Sequence, residues 1–221
     1  QTLLLGPTYA MLREEFVQAP LMDVERASLE HPRVLVTLGG ADPHGCTLKV
    51  LNALAALPLE GTELRVIMGP AFEDKDAIRE CVAGLEVPTQ LLTGVESMVE
   101  HMLWADRCIV AGGSTCWECC RLAVSMAVGI IAPNQVEVAS SIERHNLGID
   151  LGWLTTESTE SLRERLRVWF SDVRALRRAA KAASRWVDGG GAERVAKVLV
   201  DHPSTSACAG GPSKVQTASQ R

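Results

Sequence analysis

Two hydrophobic patterns alternate along this 221-residue chain. Short runs rich in β-branched and aliphatic residues exchange with segments whose apolar residues recur at helical spacing. Arg33–Leu38 (RVLVTL) reads as a buried strand, broken by Gly39-Gly40 and Asp42-Pro43. Thr47–Leu57 follows, with Leu48, Leu51, Leu54 and Ala55 spaced as on a helix. The cycle repeats through strands at Leu64–Met68, Thr89–Leu92, Cys108–Ala111 and Met126–Ile131. Helices are expected at Asp74–Ala83, Ser97–Trp104, Thr115–Leu122 and from Pro133-Asn134-Gln135 to about Asn146. This order predicts βαβ units, that is, an α/β domain with a parallel sheet, helices on both faces and right-handed crossovers.

The flanks differ. Residues 1–30 carry no strong period and are expected to be an interdomain or linker segment. Residues 31–201 form the domain, and from Ser158 to Val200 the pattern is helical, with Leu162, Leu166, Trp169 and Phe170 in one stripe. Residues 202–221 are rich in Ser, Thr, Gly and Pro, contain no aromatic residue, and are expected to be a disordered tail. No internal repeat is visible.

Charge and composition narrow the classes. A net charge of −5 without a basic block argues against a nucleic-acid binder. No apolar run reaches the roughly 18 residues that span a bilayer. The longest, Leu122–Ala132, is interrupted by Ser125 and Gly129. The N-terminal QTLLLGPTYA has neither the basic lead nor the apolar stretch of a signal peptide, and without an initiator Met it suggests a fragment. The seven cysteines sit mostly in apolar patterns, which points to reduced thiols and a cytoplasmic protein.

Three loops could carry chemistry, each following a strand and preceding a helix. In Gly39-Gly40-Ala41-Asp42-Pro43, backbone N–H groups can approach an anion near a helix start, or the glycines simply make a tight turn. It matches neither of the two common nucleotide fingerprints. In Gly112-Gly113-Ser114-Thr115-Cys116-Trp117-Glu118, free N–H groups can hold phosphate while Glu118, one turn in, accepts two hydrogen bonds from a ribose diol. The alternative is a local capping box, Thr115-x-x-Glu118. In Pro133-Asn134-Gln135 the amides suit sugar hydroxyls or a phosphate oxygen, or Asn134 is an ordinary N-cap. All three would share the edge of an open α/β sheet where ligands bind. Cys116, Cys119 and Cys120 lack a second Cys/His pair at zinc spacing, so no metal is expected. Of the histidines only His44 lies near a candidate loop, and it reads as an exposed turn residue. No catalytic base stands out.

The segments LLLGPTYAMLREEF (3–16), RVLVTLGGADP (33–43), VIMGPAF (66–72), MVEHMLWADRCIVAGGSTCWECCRL (98–122) and APNQ (132–135) resemble one family in its order. It is the UDP-2,4-diacetamido-2,4,6-trideoxy-β-L-altropyranose hydrolases of pseudaminic acid biosynthesis. The resemblance implies the Rossmann-like C-terminal half of a GT-B fold, similar to the lipid II–forming N-acetylglucosaminyltransferase. It implies a UDP-sugar substrate, no cofactor or metal, and an N-terminal domain on the full-length chain whose Gly-His loop activates water. Glu118 matches the ribose carboxylate; Gly113, Ser114 and Thr115 match the phosphate-facing turn. Asn134 and Gln135 match a pair near phosphate and sugar, Gly39, Gly40 and Asp42 the first glycine loop. Gly94 and Val95 would hold uracil by analogy with the transferases. Ala41, Gly45 and Leu122-Ala123-Val124-Ser125 depart from the family's usual Ser, Asn and Leu-Gly-x-Pro. The expected activity is hydrolysis of the UDP-sugar, this chain being the nucleotide-binding half and inactive by itself. A GT-B glycosyltransferase and a non-catalytic UDP-binding module remain the alternatives.

Overall fold

Arg33–Thr37 (β1), the first apolar run, is a central strand of a six-stranded parallel sheet. The computed structural model describes residues 3–27, 30–72 and 75–201; the tail expected at 202–221 lies outside them. The other strands are Glu63–Met68 (β2), Thr89–Thr93 (β3), Arg107–Ala111 (β4), Ser125–Ile130 (β5) and Gly148–Trp153 (β6). Their order is β3-β2-β1-β4-β5-β6. Val34 to Thr37 pair in register with Arg107 to Val110. The chain therefore builds outward from β1 to β3, then returns to the other side of β1. The crevice beyond the ends of β1 and β4 is the switch point where ligands bind in such sheets.

Alternation along the strands explains why both sheet faces are covered. Val34 and Val36 enter one core, together with Ile109 and Leu54; Leu35 enters the other, with Cys108 and Val110. Every residue of β4 and β5 is buried, as expected of central parallel strands. The helices are Glu14–Gln18 (α1), Cys46–Ala55 (α2), Lys75–Ala83 (α3), Met98–Trp104 (α4) and Thr115–Leu122 (α5). They continue with Val136–Arg144 (α6), Thr159–Ser171 (α7), Val173–Ala183 (α8) and Gly191–Asp201 (α9). Ser158 caps α7 and Asp172 caps α8, accepting from the Ser161 and Ala175 N–H groups. None of the described helices is long and apolar enough to cross a membrane.

Two features add to the pattern reading. The sixth strand is an addition: glycines at Gly148 and Gly152 and the polar Asp150 interrupt its apolar period. Its fit to β5 demands small residues, because a Cβ on Gly148 would lie 2.2 Å from the Met126 carbonyl oxygen. The described part of residues 1–30 packs on the domain. Phe16 is fully buried, Ala19 and Met22 join the same core, and a Cβ on Gly191 of α9 would lie 2.1 Å from the Ala10 carbonyl oxygen.

Candidate functional site

At the end of β1, Gly39 takes φ +110°, a conformation that side chains rarely adopt, and the space beside it is open. The Gly40 carbonyl accepts the Ala71 N–H at 3.0 Å, which joins this loop to the one after β2. Asp42 is committed locally. Its two carboxylate oxygens accept from the Cys46 and Thr47 N–H groups at 2.8 and 2.6 Å, capping α2. His44 is exposed.

At the end of β4, the Gly112 N–H is bonded to the Gly129 carbonyl and the Gly113 N–H to that of Ala111. A Cβ on Gly112 would sit 2.9 Å from the Gln135 Cβ, so the loops after β4 and β5 touch. Helix α5 then begins with Ser114 as N-cap, and no side chain caps it. The capping-box alternative for Thr115 and Glu118 is therefore not realised. Among the described residues, the N–H groups of Ser114 and Thr115 have no hydrogen-bond partner, whereas those of Cys116, Trp117 and Glu118 do.

Freed from the cap, the Glu118 carboxylate faces a cleft. It is 9% exposed, and its Oε1 lies 3.4 Å from Arg13 Nη2 on the segment leading into α1. Burial raises its pKa; the Arg13 charge and hydrogen bond pull the other way, and Glu15 adds to the rise. Arg13 Nη1 is 2.6 Å from Glu15 Oε1, and Glu15 Oε2 accepts from the Ser97 hydroxyl at 3.0 Å.

The cleft has a volume of about 460 Å³ and is lined by Arg13, Thr37, Gly39, Ile67, Met68, Gly69, Pro70, Gly94, Val95, Met98, Thr115 and Glu118. Five of the residues expected from the sequence thus meet in one hollow: Gly39, Gly94, Val95, Thr115 and Glu118. Gly94 has φ +63° and open space beside it. Gly40, Asp42, Gly113, Ser114, Asn134 and Gln135 belong to loops of the same sheet edge beside this hollow. Asn134 is exposed within a 3₁₀ turn, Pro133–Gln135, and is not the cap of α6. Gln135 is buried, its Oε1 accepting the Ile131 N–H at 2.9 Å. A larger hollow of about 550 Å³ lies at the opposite edge, lined by Ser125 and Gly148 at the strand starts, away from these loops.

Sequence reasoning missed Arg13, Thr37, Met98 and the Met68–Pro70 turn. The turn was findable, since Gly69-Pro70 ends a strand at the same edge. Arg13 gave no local signal, because its partner Glu118 is 105 residues away. The cysteines of α5 belong to the core instead: Cys116, Cys119 and Cys120 are fully buried, and burial pushes the Cys116 thiol up to about 12.

No protein-family model matches the sequence. The chain is 27% identical over 197 residues to the spore coat polysaccharide biosynthesis protein SpsG of Bacillus subtilis (strain 168), covering 89% of this chain and 57% of that protein. MurG of Acinetobacter baumannii superposes with a TM-score of 0.68 at 15% identity, over 84% of this chain and 55% of that one. The spinosyn rhamnosyltransferase SpnG, solved in complex with thymidine diphosphate, superposes with a TM-score of 0.54 at 16% identity, over 81% of this chain and 49% of that one. The chain spans little more than half the length of SpsG and about half that of the solved structures. The structural likenesses establish the fold alone, a Rossmann-like six-stranded parallel sheet with helices around it, as in one half of a GT-B fold.

Proposed function

We propose that this chain is the nucleotide-holding half of a sugar-nucleotide-processing enzyme of polysaccharide biosynthesis, with uridine diphosphate seated in the cleft between the ends of β1 and β4. The observation that carries this reading is Glu118. Its carboxylate faces the cleft one turn into a helix whose leading amides, at Ser114 and Thr115, have no hydrogen-bond partner among the described residues. Diphosphate oxygens accept from those amides, where the helix dipole favours an anion. The ribose hydroxyls donate to Glu118. Gly94 and Val95 border the same hollow and provide a backbone edge for uracil. Asn134, exposed on the neighbouring loop, and the Gly39–Gly40 turn would border the sugar of a nucleotide held this way. Two likenesses support the reading: SpsG is named for polysaccharide biosynthesis, and SpnG holds a nucleoside diphosphate.

The reaction follows from where charge develops. As the bond from the anomeric carbon to the diphosphate breaks, negative charge grows on the leaving UDP, and fixed backbone donors stabilise it. Water as the incoming nucleophile gives a UDP-sugar hydrolase. The motif resemblance points to the pseudaminic acid precursor, with release of 2,4-diacetamido-2,4,6-trideoxy-L-altrose. The base that activates water would come from an N-terminal domain on the full-length chain. An acceptor hydroxyl in place of water gives a glycosyltransferase with the same nucleotide site, a reading favoured by the solved neighbours.

Calorimetric titration of this chain with UDP tests the nucleotide site, and absence of binding overturns it. Incubation of the full-length protein with UDP-sugars separates the reactions. Free sugar without an acceptor supports hydrolysis, and product only with an acceptor supports transfer. Binding without turnover by the full-length protein leaves a UDP-binding module.

A further inference from the structure

We infer that Arg13 is a diphosphate-binding residue, its guanidinium placed beside Glu118 at the cleft to donate to the phosphates of a bound nucleotide. The inference rests on the nucleotide reading above and adds a residue from the N-terminal segment to the site. Arg13 is the one cationic side chain lining the cleft among the described residues. The same cleft contains the Glu118 carboxylate, so a diphosphate entering it would meet a buried like charge unless a cation stood between them. Arg13 is built for that place. Its guanidinium lies 4.9 Å from the centroid of the buried Phe16 ring, and Nη1 is held at 2.6 Å by Glu15. Glu15 is in turn held by Ser97, just beyond Gly94 and Val95.

The two contacts of the fork are unequal. The one to Glu15 is a short ion pair outside hydrogen-bond geometry; the one to Glu118, at 3.4 Å, is a hydrogen bond, long for a charge-assisted one. The side chain is also 53% exposed, which leaves donors free to turn without dismantling the core. A ribose diol that takes over Glu118 releases Nη2, and the guanidinium then meets the diphosphate as a planar, two-pronged donor. Glu15 acts as a positioning residue, because it holds the guanidinium at the mouth of the cleft.

The test compares UDP with uridine, titrated into the full chain by calorimetry or by ligand-observed NMR. The wild type is expected to bind UDP more tightly than uridine. Arg13→Gln should weaken UDP by about tenfold or more while leaving uridine within about threefold, so that the preference for the diphosphate collapses. Arg13→Lys keeps the charge without the fork and should retain part of the preference. Glu118→Gln should weaken both ligands. An Arg13→Gln protein that melts like the wild type and keeps its UDP-to-uridine ratio overturns the role of Arg13 and leaves the nucleotide site standing. Equal wild-type affinity for the two ligands overturns the role of Arg13 and the diphosphate seat at the Ser114 and Thr115 amides, and leaves only the nucleoside part of the site standing. A wild type that binds neither overturns both readings.

Discussion

Gly69 closes against the backbone of Gly40, so tightly that a Cβ on Gly69 would stand 2.3 Å from the Gly40 carbonyl oxygen. The contact fastens the turn after β2 to the glycine loop after β1, and both line or border the cleft. Gly69→Ala must push the two loops apart, at a cost of about 1–3 kcal/mol. Urea unfolding should show this loss, and calorimetry should show weaker UDP binding. Unchanged affinity would mean that the first glycine loop does not touch the nucleotide.

Asp42 separates stability from binding. Both of its oxygens are engaged by the start of α2, so Asp42→Ala should cost about 0.5–2 kcal/mol in urea unfolding. UDP affinity measured on the folded variant should change by less than about threefold, well under the effect of losing a charged hydrogen bond. A large loss of affinity at full stability would make Asp42 a ligand residue.

Glu118 should show opposite effects on binding and stability. Replacement by Ala should weaken UDP by about 1–3 kcal/mol, the value of a hydrogen bond involving a charged group. Its pKa in the folded protein is raised above the ordinary 4.5, with burial as the leading cause. A raised carboxylate is costly when ionised. The penalty is absent below the unfolded value, grows as pH rises through the window between the unfolded and folded values, and is complete above it. Glu118→Gln removes that penalty. Its melting temperature should exceed the wild type's at neutral pH, and the gap should close as pH falls to the ordinary carboxylate range. A gap that widens with acid would reverse the assignment.

Thiol chemistry gives a check on the core. Cys46 is pushed up to about 11 and Cys116 to about 12 by burial, and Cys119 is also raised well above an ordinary thiol by its Cys108 neighbour and burial. The thiolate is the reactive form, so these positions should resist iodoacetamide at neutral pH. Cys81, only partly buried, should be alkylated well before Cys46, Cys108, Cys116, Cys119 or Cys120. Peptide mass spectrometry of a native labelling time course reads the order directly. Early labelling of Cys116 would show that α5 opens.

Local signals explain what the sequence revealed. Strands β1, β4 and β5 are mostly apolar runs, β2 and β3 carry shorter ones, and α5 occupies Thr115–Leu122 as its pattern predicts. The sixth strand stayed hidden because its glycines answer to neighbours: Gly148 must clear the Met126 backbone, a constraint that no period encodes. The candidate loops were legible for the same reason as the strands they end. What those loops do with their side chains was not. Whether Glu118 closes a cap or faces a cleft depends on where α5 begins, and whether Asp42 is a cap or a ligand depends on how α2 turns away from β1. Both are decided by tertiary geometry.

The placement of β1 beside β4 has a consequence for assembly. A polypeptide severed between β3 and α4 would yield two pieces that must rejoin along the Val34–Thr37 and Arg107–Val110 ladder, with α2 against α7 as a second seam. The cleft opens over that ladder, with Thr37 and Gly39 from one piece and Thr115 and Glu118 from the other. A nucleotide there would staple the halves together, and complementation between the fragments should strengthen in its presence.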